Sequence, residues 1–232
     1  MRDGSDIHVI AGEPPVKVAL RRSVRARRLS LRVSRVDGRV TLTLPPRTPL
    51  RDGIAFAESR ADWLRGHLAQ IGGEERATLG GSILYEGRDL RLIAAPVRRP
   101  TLTEEGLLLP DTPEKTGAQV GAFLKARARD RLAQASDLYA ARLGRGYGKI
   151  TLRDTRSRWG SCTSAGDLMY SWRLIMAPPA VLDYVAAHEI AHLVQMDHSP
   201  AFWALVEGLY PDHAACRRWL RAHGERLHRL RL

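Results

Sequence analysis

The chain has 232 residues, 44% of them hydrophobic and 27% charged, with a formal charge of +12. That balance excludes wholesale disorder and leaves room for one elaborated domain or two small ones. No run approaches the ~18 consecutive apolar residues that cross a bilayer, and the start MRDGSDIHVIAGEPP lacks the apolar stretch of a signal peptide, so no membrane association and a cytoplasmic location are expected.

Residues 1–15 read as a frayed tail ending at Pro14-Pro15. Residues 16–110 read as a small β-rich region with one helix. Leu29, Leu31 and Val33 alternate with polar neighbours, as do Val40, Leu42 and Leu44, and Asp37-Gly38 between them is a type I′ turn pair. Closing on that turn would set Val33 opposite Leu42 and Leu31 opposite Leu44, with both runs burying one face. Arg21, Arg22, Arg25, Arg27, Arg28 and Arg32 would then line the other face and the edge. They either protect that edge or meet nucleic acid or an acidic substrate. A helix is expected from near Thr48 to Ala69, with Ile54, Phe56, Trp63 and Leu64 as its apolar side. Short strands follow at 83–85 and 90–94 around Glu86-Gly87, and another at 107–109.

A soft boundary near residue 111 marks where strands give way to helices, so the second domain is expected over 111–232. A helix rich in alanine, arginine and leucine should run over 113–143, closed by Gly144 and Gly146. A strand at 149–153, a loop at 155–165 and a strand at 167–174 come next. Pro178-Pro179 then sits where a helix can begin, and 180–195 reads as that helix.

On this helix Tyr184, His188 and His192 recur every four residues and share a face, while Leu182, Ala186, Ile190 and Leu193 lie on another and would pack inward. Two histidines one turn apart can bind one Zn2+ through neutral imidazole nitrogens. Glu189, one residue beyond His188, reaches water at the metal without being a ligand, the position of a general base. A catalytic zinc takes three protein ligands and keeps one open position. His198, His213, His223 and His228 lie downstream as candidates. His198 is favoured because Ser199 is a natural N-cap and Pro200 a natural first helical residue, so the ligand would be firmly held; Glu207 is the alternative. The constellation predicts a zinc-dependent hydrolase.

The segment from Arg158 to Trp203 resembles the YgjP-like family of zinc metallopeptidases, relatives of the SprT and Spartan group. The matching residues are Arg158-Trp159-Gly160-Ser161-Cys162, Trp172-Arg173-Leu174, Pro178, Tyr184-Val185, the paired histidines, His198-Ser199 and Phe202-Trp203, with Pro211-Asp212 and Trp219-Leu220 beyond. Asp197 departs from the asparagine expected there, and would either accept from a ligand imidazole or cap the turn. The resemblance implies an α+β, zincin-like metallopeptidase domain preceded by the β-rich region, with His188, His192 and His198 as ligands, Glu189 as base, and a peptide or protein substrate. The Spartan relationship, together with the positive charge, points to substrates associated with DNA. Tyr170, Arg173, Tyr184 and His213 are candidates to stabilise an oxyanion.

Two other readings compete. Only two cysteines occur, Cys162 and Cys216, too few for a disulfide framework. Cys162 could complete the metal site as a cysteine does in peptide deformylases, giving an amide hydrolase. Alternatively the chain is a nucleic-acid-associated zinc protein without significant peptidase activity.

Overall fold

The computed structural model describes residues 6–34, 38–70 and 75–232. The chain divides into two compact units, 1–74 and 75–232, and mixes helices with strands throughout.

In the first unit, β1 (Ile7–Ile10), β2 (Val16–Arg22), β3 (Ser30–Val33) and β4 (Val40–Leu44) form one sheet in the order β1-β2-β4-β3. The segment expected to fray therefore contributes an edge strand, paired antiparallel to β2 from Ile7↔Ala19 to Ile10↔Val16. Alternation explains its capture, because Ile10 joins the buried face while Ile7 and Val9 point outward. The hairpin of β3 and β4 is present, but its register is Leu31↔Leu42 and Val33↔Val40. The ladder closes at Ser34 N–H to Arg39 O, and Gly38 takes a left-handed φ of 66°. A slip of two residues from the expected pairing leaves every side chain on its predicted face. Asp37, half of the expected turn pair, lies outside the described residues.

The expected single helix is two, α1 (Leu50–Glu58) and α2 (Ala61–Gln70). Ser59 breaks them apart by bonding its hydroxyl back to the Phe56 carbonyl, and the Arg60 N–H donates to Ala57 O in a tighter turn. Gly53 lets α1 approach β4, since a Cβ there would lie 2.6 Å from Leu44 Cδ2. Leu64 is fully buried against the sheet, whereas Trp63, placed on the apolar side from sequence, is 44% exposed.

In the second unit, β6 (Ser82–Tyr85), β7 (Arg88–Ala95), β8 (Thr101–Leu102) and β9 (Leu107–Pro110) form a sheet in the order β6-β7-β9-β8, after the short β5 (Glu75–Arg76). Glu86 and Gly87 both take positive φ in the β6–β7 turn. A 3-10 turn (Pro113–Lys115) leads into the 28-residue α3 (Thr116–Leu143), which ends on Gly144 at φ 65°. Ile83, Leu92, Leu107 and Leu109 share one core with Val120, Leu124 and Leu132 of α3. That shared core is why the boundary falls at 74/75 and not near 111: strands that looked separable in sequence bury their apolar face against the helix.

Beyond α3 come β10 (Ile150–Arg153), β11 (Gly160–Cys162) and β12 (Leu168–Ser171), in the order β10-β12-β11. β10 runs parallel to β12 and β11 antiparallel to it, so β11 is an edge. A 3-10 turn (Trp172–Met176) carries the chain into α4 (Pro179–Ala191), and α5 (Pro200–Leu209), α6 (His213–His223) and a final 3-10 turn (Gly224–His228) follow. α4 is buried nearly all round, with Val181, Leu182, Ala186 and Ile190 almost inaccessible. β13 (Leu230–Arg231) pairs in parallel with β5. Among the described residues no helix is long and apolar enough to cross a membrane.

Candidate metal centre

α4 presents His188 and His192 one turn apart, their ring centroids 5.1 Å from each other and the rings nearly perpendicular. The helix ends at Ala191 with His192 as its C-cap. The chain then turns through 193–198, and Asp197 holds that turn by accepting from Ser199 N–H at 3.0 Å and from the Gln195 amide at 2.9 Å. These bonds, the Gln195 amide foremost, hold the Asp197 carboxyl down to about 2. Of its two sequence-based roles, Asp197 takes the turn. Ser199 caps α5, its hydroxyl accepting from Phe202 N–H, and Pro200 is the first helical residue as expected.

The turn returns His198 to α4. His198 Nε2 lies 3.2 Å from His188 Nε2, and the ligand atoms of His188, His192 and His198 all fall within 4.8 Å of one another. Two nitrogens bound tetrahedrally at ~2.0–2.1 Å from zinc stand about 3.3 Å apart, and the His188–His198 pair matches that separation. His192 Nδ1 is 3.0 Å from the Gln195 carbonyl. Donating there leaves Nε2 as the free lone pair, the arrangement that orients imidazole ligands. Burial, then the neighbouring His192 and His198, push His188 down to about 3, so it stays neutral and able to ligate.

Glu189 is 5% exposed and faces β11. A Cβ on Gly160 would overlap its carboxylate, so the glycine makes room for the acid. Burial pushes the Glu189 carboxyl up to about 8, opposed by Arg158. A cleft of about 210 Å³ is lined by Gly160–Cys162, the three histidines, Glu189 and Met196.

The other candidates are occupied elsewhere. Cys162 lines the cleft but stands outside the three-histidine group, and burial pushes its thiol up to about 11. The Tyr170 hydroxyl is buried against Ser136. Arg173 is fully committed to Asp154 and to the carbonyls of Leu227 and Leu230. Tyr184 meets His188 edge-on at 5.9 Å, His213 stacks on Trp203, His223 lies against Trp219, and His228 stacks on Trp159. Glu207 is exposed. A larger cleft of about 760 Å³ includes Lys125, Arg129, Arg153 and the Arg173–Asp154 pair in its lining, with no histidine among its lining residues.

Two contributors, both among the matching residues, have a structural role that the sequence does not assign. β11 hid inside an expected loop because Gly-Ser-Cys has no alternation to reveal it. Phe202, fully buried, has its ring 4.9 Å from His188, 4.5 Å from His192 and 4.8 Å from His198. Its position in the first turn of the capped helix that follows His198 is the available signal.

No curated protein matches this chain. Among solved structures, the crystal structure of the metallopeptidase zymogen of Pyrococcus abyssi abylysin is similar, at 20% identity over 41% of this chain and 93% of that one, with a TM-score of 0.34. The YgjP-like family, metallopeptidase domain, matches residues 27–223, a span that contains the histidine cluster, Glu189 and β11. On that match the chain belongs to the YgjP-like metallopeptidase family.

Proposed function

We propose that this protein is a zinc-dependent peptidase in which His188, His192 and His198 hold the metal and Glu189 is the general base. The observation that carries the reading is the gathering of three imidazole donors within 4.8 Å on a cleft that also holds a buried carboxylate. Zinc supplies, when bound, a Lewis acid and a water of lowered pKa. The chain's own groups do the rest. Glu189 accepts the proton of the attacking water on its carboxylate and returns it to the leaving amine. Gly160 keeps the carboxylate in place by leaving space for it. The His192 Nδ1–H, held by the Gln195 carbonyl, fixes the ring that faces the cleft. The edge strand β11 borders the cleft, and among the described residues no strand pairs with its outer edge, to which an extended peptide can add as a further strand. Proteins associated with nucleic acid are the proposed substrates, a choice supported by the charge of +12.

The test compares zinc-loaded protein with its Glu189→Gln variant on peptide and protein substrates, with and without DNA. The variant should bind zinc as the parent does and lose roughly 10²- to 10⁴-fold in kcat. Equal activity in both would sink the proposal and leave a zinc protein without peptidase chemistry.

A further inference from the structure

The sheet of the first unit buries one face against α1 and α2 and leaves the other open. Val18, Val40, Leu42 and Leu44 point into the core. On the open face Arg21 and Arg32 stand among small residues, while Lys17 and Ala19 lie beside exposed Val9 and Ile7 of β1: Arg32 pairs with Thr41, Thr41 with Ala19, Arg21 with Thr43, and Lys17 with Val9. The β2–β3 connection adds Arg25, Arg27 and Arg28, all exposed. Residues 16–34 contain one lysine, six arginines and no acidic residue.

Arginines with structural work are visibly occupied in this unit. Arg22 donates to the carbonyls of Pro45, Pro46 and Thr48, and Arg65 to those of Ala11 and Pro14 and to Asp62. The six cations of the open face and its connection form no ion pair among the described residues. Edge protection accounts for Arg32 on the edge strand β3. It does not account for Lys17, which pairs with Val9 of β1 on a strand that lies between β1 and β4. An ordinary solvated face would also mix the two signs of charge.

We infer that this face and the adjoining connection bind the phosphodiester backbone of duplex nucleic acid, without reading its sequence. Strands β1 to β4 carry no phenylalanine, tyrosine or tryptophan, so there is no platform on which unpaired bases could stack. What the face offers is charge at several points, and duplex DNA presents the densest row of phosphates to meet it. The site deepens the proposed choice of substrates, but it is independent of the histidine cluster and is read without any catalytic assay.

The test uses the full chain and a fluorescent 20-base-pair duplex, titrated over a range of salt concentrations. Each phosphate neutralised contributes a slope of about −0.9 in log K against log salt, so six contacts give a slope near −5. The triple variant Arg25→Gln, Arg27→Gln, Arg28→Gln should bind at least ~10-fold more weakly and lose about 2.7 units of slope. The double variant Lys17→Gln, Arg21→Gln should lose about 1.8 units. A control triple on the second unit, Arg91→Gln, Arg98→Gln, Arg99→Gln, removes equal charge from exposed positions and should leave the slope within error of the parent. Three outcomes overturn the inference: no duplex binding at low salt, an equal loss in the control triple, or competition by poly-glutamate as effective as by unlabelled duplex, which would make the surface a dock for acidic protein. Each leaves the peptidase assignment standing, because that is read by Glu189→Gln.

Discussion

The phenyl ring of Phe202 stacks on the imidazole of His192 at 4.5 Å, with 25° between the planes. The same ring meets His188 and His198 edge-on. One apolar plane thus supports three imidazoles that arrive from two separate segments. Phe202→Leu keeps an apolar side chain but removes the flat support. Zinc affinity, measured by competition with a chelator, should fall about 10-fold, the scale of losses when groups that orient ligands are removed. Val206→Ala, which opens a cavity on the same helix, should lower the melting temperature while leaving zinc affinity unchanged. Equal affinity loss in both would mean that Phe202 only packs.

Gly160→Ala tests the fit of Glu189. The new methyl group overlaps the carboxylate, which must move by a sizeable fraction of an ångström. Zinc stoichiometry should stay at the parent level while kcat falls about 100-fold, the usual consequence of displacing a reacting group by ~1 Å. Metal analysis beside steady-state kinetics separates this outcome from loss of the metal.

The helix bearing the paired histidines, the Ser199 cap and the return of His198 were legible in the sequence, because each rests on local chemistry: a four-residue spacing, a hydroxyl acceptor, a proline in a first turn. The support of the site was not. Gly160 matters through a residue 29 positions away, and Gln195 contributes a backbone carbonyl that no side chain announces. The break at Ser59 and the two-residue slip of the hairpin depend on turn geometry, which composition encodes weakly. The unit boundary at 74/75 is hidden in the sequence because 75–110 look like an independent set of strands until α3 covers them.

Arg173 is 5% exposed, and Asp154 is its partner through two hydrogen bonds. Arg173→Met would leave the carbonyls of Leu227 and Leu230 without their donor as well. Because Asp154 is half exposed, the expected loss is about 2–3 kcal/mol, below that of a fully buried pair. Urea denaturation followed by circular dichroism measures it, and a loss under about 0.5 kcal/mol would put this pair with ordinary surface contacts.

His228 gives the fold a dependence on acidity away from the metal centre. Its ring stacks on Trp159 at 4.9 Å, and burial, then Arg173, push it down to about 4 against the attraction of Asp154. The folded state therefore holds His228 neutral between pH 4 and 6.5, where the unfolded chain takes up a proton. Its contribution is complete above about 6.5 and is lost as pH falls toward 4, at no more than ~1.4 kcal/mol per pH unit. Metal-free His228→Gln should show a shallower decline in stability over that window. An identical pH profile would remove His228 as the cause.

The pairing of Leu230 with Glu75 joins segments from opposite ends of the second unit. Arg173 grips the same late segment from the middle of the fold. During synthesis, neither contact can form until residues 227–231 have left the ribosome. The histidine centre is translated earlier, yet the pairing with β5 and the carbonyl partners of Arg173 wait for this segment. These contacts span long stretches of sequence, the kind of pairing that slows folding. A nascent chain stalled before residue 227 should expose the second unit to chaperones and proteases while the first is already complete.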